Sequence, residues 1–167
     1  MADILYGKVS PSAKLSVSYP NTEIYEPICY NYSAEKDPRI QWPFGYGLSY
    51  TTFEYRDFQL PSELKAGENL KVKVTVTNTG SVAGDEVVQL YAHDELASVA
   101  RPLKQMVAFK RVTLDPGESR EVELEVPYRQ FGLWDQQMRF GVEEGWFEMW
   151  LGRNANDRID GGQVYVK

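Results

Sequence analysis

The chain is short of the residues that most catalytic and metal chemistry needs. Its 167 residues include one cysteine, Cys29, and one histidine, His93. A single cysteine excludes an internal disulfide and a thiolate metal cage. One histidine and one cysteine fall short of the His and Cys ligands that a zinc site of the usual kind takes. Basic residues are outnumbered, 18 Lys and Arg against 24 Asp and Glu, for a net charge of −6. Nucleic acids need a basic stripe to displace their counterions, and anionic membrane surfaces attract the same sign, so neither partner is expected. No apolar run approaches the roughly 18 residues needed to span a bilayer.

Aromatic residues are plentiful, at 13% of the chain (eleven Tyr, seven Phe, four Trp), which suits half-buried strands. Strand patterns recur from Thr51 onward: Thr52 to Leu60, Leu70 to Asn78, Glu86 to Ala92, Met106 to Leu114, Arg120 to Val126, Met138 to Val142, Trp146 to Gly152 and Gln163 to Val166. Leu70, Val72, Val74 and Val76 alternate with Lys71, Lys73, Thr75 and Thr77, and Asp115-Pro116-Gly117-Glu118 is a turn, Pro presetting φ and Gly tolerating φ > 0. Seven or eight short strands without helical interruption predict an all-β fold, an immunoglobulin-like sandwich of two sheets, about seven strands in all. In that arrangement the second and fifth strands are neighbours. Lys71 and Lys73 on the second would then face Glu121, Glu123 and Glu125 on the fifth, an opposite-charge register signal.

The first 50 residues read differently. Ala2 to Tyr6 resembles the last turn of a helix, with Gly7 suited to the left-handed closing position, and Lys14 to Tyr19 alternates as a strand. A helix end feeding one strand is half of an α/β unit, so residues 1–20 are expected to be the remnant of a preceding α/β domain. Residues 21–50 read as an extended linker whose Tyr25, Tyr30 and Tyr32 need a surface to pack on, and residues 51–167 as the sandwich. The arm of residues 1–20 is expected to be disordered, or to dock on the sandwich or on a neighbouring molecule.

Residues able to carry chemistry are few. A Ser-His-Asp triad would rest on His93 beside Asp94, but strand neighbours point to opposite faces, and there is no G-x-S-x-G elbow. The adjacent acids Asp94-Glu95 and Glu143-Glu144 fall at turns and read as solvated. Gly45 and Gly47 sit among aromatics with no following Lys, unlike a phosphate-cradling loop. Asn154-Ala155-Asn156-Asp157 followed by Asp160-Gly161-Gly162 comes nearest to a calcium loop and lacks its closing Glu. No catalytic residue, metal or cofactor is therefore expected. Phe147, Met149 and Leu151 form one face of a strand, and Trp146, Glu148 and Trp150 the other. With the first face in the core, two tryptophans project about 13 Å apart at ~3.3 Å per residue. Such a pair stacks on sugar rings, packs on a partner domain, or lies beneath the linker.

The stretch WPFGYGLSYTTFEY at positions 42 to 55 resembles the segment introducing the fibronectin type III-like domain at the C-terminus of family 3 glycoside hydrolases. In the same order, residues 4–20 resemble the end of that family's α/β sandwich domain, and 74–94, 97–124 and 133–152 resemble successive parts of its C-terminal domain. The resemblance implies a non-catalytic accessory domain of a bacterial β-glucosidase or β-xylosidase, periplasmic or secreted. The family's nucleophilic aspartate lies in a Ser-Asp-Trp context that this sequence lacks, so no catalytic role is carried over to any position. Implied partners are the catalytic domains, an oligosaccharide or polysaccharide, or a second copy of the chain. Trp42, Tyr46, Trp134, Trp146 and Trp150 are the candidate carbohydrate or domain-interface residues. Ser16 stands where the family usually has Pro, Trp42 where Tyr or Phe is commoner, and Arg153-Asn154-Ala155 in place of a small, Ser-rich run.

Overall fold

A computed structural model describes residues 2–21, 28–34 and 37–167. One helical turn, α1 (Ala2–Leu5), is followed by β1 (Tyr19–Pro20), β2 (Ile40–Trp42), β3 (Phe53–Gln59), β4 (Glu63–Leu64), β5 (Leu70–Asn78), β6 (Gly84–Asp94), β7 (Gln105–Leu114), β8 (Ser119–Val126), β9 (Leu133–Trp134), β10 (Phe140–Gly141), β11 (Gly145–Asn154) and β12 (Asp157–Val166). Two sheets face each other, one of three strands in the order β3-β5-β8 and one of five in the order β4-β12-β11-β6-β7. This is an all-β sandwich.

The sheets form where alternation put one apolar face. Along β5 and β8, Leu70, Val72, Val74, Val76, Val122, Leu124 and Val126 are buried. They meet Val88, Leu90, Met149, Leu151, Val164 and Val166 of the other sheet in one core. Burying each such side chain contributes roughly 1.5–3 kcal/mol, and together they fix the register. The second and fifth long strands pair as expected, with Lys71 opposite Glu125 and Lys73 opposite Glu123. The ion pairs, however, run diagonally, Lys73 to Glu121 at 2.8 Å and Lys71 to Glu123 at 3.8 Å.

Three local expectations are corrected. Lys14 to Tyr19 alternates but forms ladder structure only at Tyr19, where Tyr19–Pro20 pairs with Ile40–Trp42, because no longer partner strand lies alongside. Met138 to Val142 shrinks to Phe140–Gly141, paired with Leu133–Trp134; Met138 adopts a left-handed φ of 60° that no strand continues through. Asp94 is not a solvated turn acid. It ends β6, shielded from solvent, with Arg101 Nε 3.5 Å from its carboxylate. The reading of Ala2 to Tyr6 agrees with the helical turn α1, and Gly7 closes it at φ 73°, its N–H donating to Ile4 O. Tyr25 lies outside the described residues.

Candidate interaction surface

The outer face of the five-stranded sheet carries a second apolar cluster, built from Tyr91, Trp150 and Ala155 with Tyr30, Phe44 and Met106 packed on it. Part of the linker covers this face. Tyr30 and Phe44 stack with centroids 4.0 Å apart. Met106 N donates to Tyr30 Oη at 3.2 Å, Lys104 N to Asn31 O at 3.3 Å and Ala155 N to Phe44 O at 2.9 Å. Beneath them, Tyr91 Oη donates to Gln89 Oε1 at 2.6 Å, and Gln89 Nε2 donates to Gly45 O at 3.1 Å and to Arg153 O at 2.9 Å. The carboxamide is thus satisfied on both sides, as a buried amide has to be. Burial pushes the Tyr91 hydroxyl well above the usual phenol range, so it stays a donor. The Arg153–Ala155 run therefore has a clear role: its backbone grips the linker.

The glycines of Phe44-Gly45-Tyr46-Gly47 are explained by this contact. Gly45 has φ 80°, and a Cβ there would lie 2.2 Å from Gln89 Oε1. At Gly47 a Cβ would lie 2.5 Å from Ala13 O. The arm runs on the other side of the same turn: Leu15 N donates to Tyr46 O at 2.8 Å and Gly45 N to Leu15 O at 2.7 Å. Lys14 Nζ reaches Glu86 Oε1 at 3.3 Å, and Tyr55 Oη donates to the same oxygen at 3.0 Å. Glu86 is only 5% exposed, so these two partners hold a carboxylate that would be costly to leave alone. Burial, then Glu86, raise the Tyr55 hydroxyl beyond its ordinary range.

The five singled-out aromatics do not form one site. Trp150 lies on the outer face, as the period of two expects, and is 3% exposed there. It stacks on Tyr91 at 5.9 Å, and the Arg158 guanidinium lies 4.1 Å from its ring centroid. Of the alternatives for that face, cover by the linker applies to Trp150. Trp146, on the same face but beyond the cover, is 47% exposed and meets Tyr165 edge-on. Trp134 is 58% exposed and edge-on to Phe140. Trp42 is 43% exposed, meets Tyr19 edge-on, and with Tyr46, Leu15 and Leu48 lines an apolar groove of about 410 Å³. Leu5, Tyr6, Val9, Val17, Leu48 and Tyr50, from the first 50 residues, are also exposed. Sequence reasoning missed Gln89 and Glu86; Gln89 stands between Val88 and Leu90 in a strand, a polar residue whose position marks it as held by something outside the sheet, whereas Glu86 follows Asp85 and carries no such signal.

The other chemical candidates are tied down. His93 Nδ1 lies 3.1 Å from the carbonyl oxygen of Pro102, which places its proton on Nδ1. Glu143 accepts from the backbone N–H of Ser98 at 3.0 Å and from its hydroxyl, and these bonds hold its carboxyl below the usual range. Among the described residues no group of three or more His, Cys, Asp or Glu is disposed to hold a metal ion.

Two facing sheets in this strand order, antiparallel except where the short β4 runs parallel to β12, define a fibronectin type III-like sandwich, and the family model for the fibronectin type III-like domain matches residues 86–155. The chain is 36% identical to a periplasmic β-glucosidase of Salmonella typhimurium, aligning 91% of this chain with 22% of that protein. It is also 36% identical to a β-xylosidase of Formosa agariphila, over 93% of this chain and 23% of the other. Among solved structures, a β-glucosidase from Listeria innocua in complex with glucose superposes with a TM-score of 0.90 at 35% identity, covering 99% of this chain and 25% of that one. Along nearly its whole length the chain is similar to one segment of these β-glucosidases and β-xylosidases, and the fibronectin type III-like match falls within that segment. The chain spans about a quarter of the length of the relatives it matches.

Proposed function

We propose that this chain is the non-catalytic, stabilising C-terminal part of a family 3 β-glycosidase whose preceding domains hydrolyse terminal, non-reducing β-D-glucosides or β-xylosides with retention. The observation that carries this reading is the mismatch of lengths, nearly all of this chain against about a quarter of the β-glucosidase it superposes on. Residues 1–20 then belong to the end of the preceding domain, 21–50 to the linker, and 51–167 to the sandwich. The exposed Trp42, Tyr19 and Leu48 around one apolar groove support docking against the remainder of the enzyme, since apolar patches of this kind mark interfaces. A retaining glycosidase needs two carboxyl groups about 5–5.5 Å apart and open to substrate. Glu86, Asp94 and Glu143 are instead held by neighbouring groups: Lys14, Arg101, and the backbone N–H and hydroxyl of Ser98, which supports an inactive fragment.

Incubating the purified chain with aryl β-glucosides and β-xylosides tests the catalytic half: no turnover above buffer is expected, and turnover would overturn it. Exchanging this chain for the matching segment of the Salmonella enzyme tests the other half. Thermostability should survive the exchange and collapse when the segment is deleted; an equally stable deletion would end the stabilising role. The groove of Trp42, Tyr19 and Tyr46 favours one further reading, binding of an oligosaccharide. Retardation in soluble β-glucan gels, lost in Trp42→Ala, would establish it.

A further inference from the structure

At an end of the sandwich away from the arm lies a cavity of about 390 Å³ lined by Arg101, Gln105, Arg129, Gln130, Gly132 and Phe140, with no Asp or Glu in its wall. In a chain of net charge −6, a wall with two guanidinium groups and no carboxylate is a local reversal of sign, carried by Arg129 because Asp94 offsets Arg101 from behind the wall. Such concave reversals concentrate ligands of the opposite charge.

Each cation is positioned. Arg101 Nη1 donates to Gly132 O at 3.1 Å, and its Nε stands 3.5 Å from Asp94 behind the wall. That nitrogen is sealed from solvent and makes no hydrogen bond. The Arg129 guanidinium lies 5.0 Å from the centroid of the Phe140 ring, a cation–π contact. No ion pair is found for Arg129 among the described residues. Phe140 itself rests on Gly132, where a Cβ would meet its ring at 2.4 Å, so only glycine lets the ring form this wall.

We propose that this cavity binds a small carboxylate of about the size of a hexuronic acid. The planar forks of the arginines match a carboxylate. The carboxamides of Gln105 and Gln130 supply donors and acceptors suited to ring hydroxyls, and the Phe140 ring offers an apolar face. The volume lies within the range of small-molecule sites, about 300–1,000 Å³. The proposal does not depend on the chain's role within a glycosidase.

Calorimetric titration of the full chain with glucuronate, glucose and inorganic phosphate decides the matter. Glucuronate should bind saturably and glucose should not. Arg129→Gln, a change at an exposed side chain, should weaken glucuronate about tenfold or more, the loss of one charge-assisted hydrogen bond. Arg129→Lys, which keeps the charge and removes the fork, should recover part of the affinity. No saturation by glucuronate at tens of millimolar, equal binding of glucose, tighter binding of phosphate, or an unaltered affinity in Arg129→Gln would each overturn the proposal. Thermal unfolding of the variants, expected to match the parent, separates lost binding from lost folding.

Discussion

The two sheets of the sandwich bury their inner faces alike and differ on the outside. In β5 and β8 each apolar residue points inward and each Lys, Thr or Glu outward, and the outer face is left to solvent. In β6 and β11 the alternation fails in mid-strand: Val88 through Ala92, and Met149 through Gly152, are buried without interruption. The reason is the linker lying across that stretch. Alternation therefore reports an open face, and its local loss reports a covered one.

Removing the centre of the covered face should have the largest effect. Trp150→Ala deletes a ring held between Tyr91 and Arg158, and a loss of about 3–5 kcal/mol is expected in chemical denaturation. A loss below about 1 kcal/mol would mean that the linker is a loose strap. Gly45→Ala attacks the same contact from above, combining a left-handed backbone with a collision at Gln89. About 1–3 kcal/mol should be lost, and the amide of Ala155, which donates to Phe44 O, should exchange faster with solvent.

At the edge of the cover, Lys14→Met leaves Glu86 held by the Tyr55 hydroxyl. Destabilisation of about 1–3 kcal/mol is expected, shrinking in a Glu86→Gln background. Equal losses in both backgrounds would deny the pair its part in seating the arm. Asp37, in the linker, accepts from the side chain and backbone of Arg39 and has its pKa lowered from 3.8 to about 2. A depressed carboxyl stabilises the fold above its unfolded pKa and ceases to as pH falls through the folded one. The melting-temperature difference between parent and Asp37→Asn should therefore persist above about pH 4 and fade between 4 and 2. The smallest effect belongs to the open face. Lys73→Ala should lower stability slightly at low salt and not at all in 1 M NaCl, because the Lys73–Glu121 pair is exposed.

The same contrast governs what could be read from the residues alone. The pairing of β5 with β8 was legible because alternation and opposite charge agree. A period of two places Trp150 on the outer face with Trp146, where it lies, but nothing within the strand says that Tyr30 and Phe44 arrive above one and not the other. The pairing that confines β1 to Tyr19–Pro20, and the left-handed Met138 that shortens the following hairpin, likewise depend on partners distant in sequence. Gly45 and Gly47 were visible as glycines between aromatics, but their need follows from the atoms of Gln89 and Ala13 pressed against them.

The cover also imposes an order of events on folding. Tyr30 and Phe44 precede their seat in the chain, and the Met106–Tyr30 bond already closes a separation of 76 residues. During synthesis they emerge before Trp150 and Ala155 exist to receive them. Non-local closures of this kind are slow because loop entropy is lost before contacts repay it. The aromatic segment must therefore wait in the open until the last strands are made, and that interval is when a nascent chain is most exposed to aggregation or to capture by a chaperone.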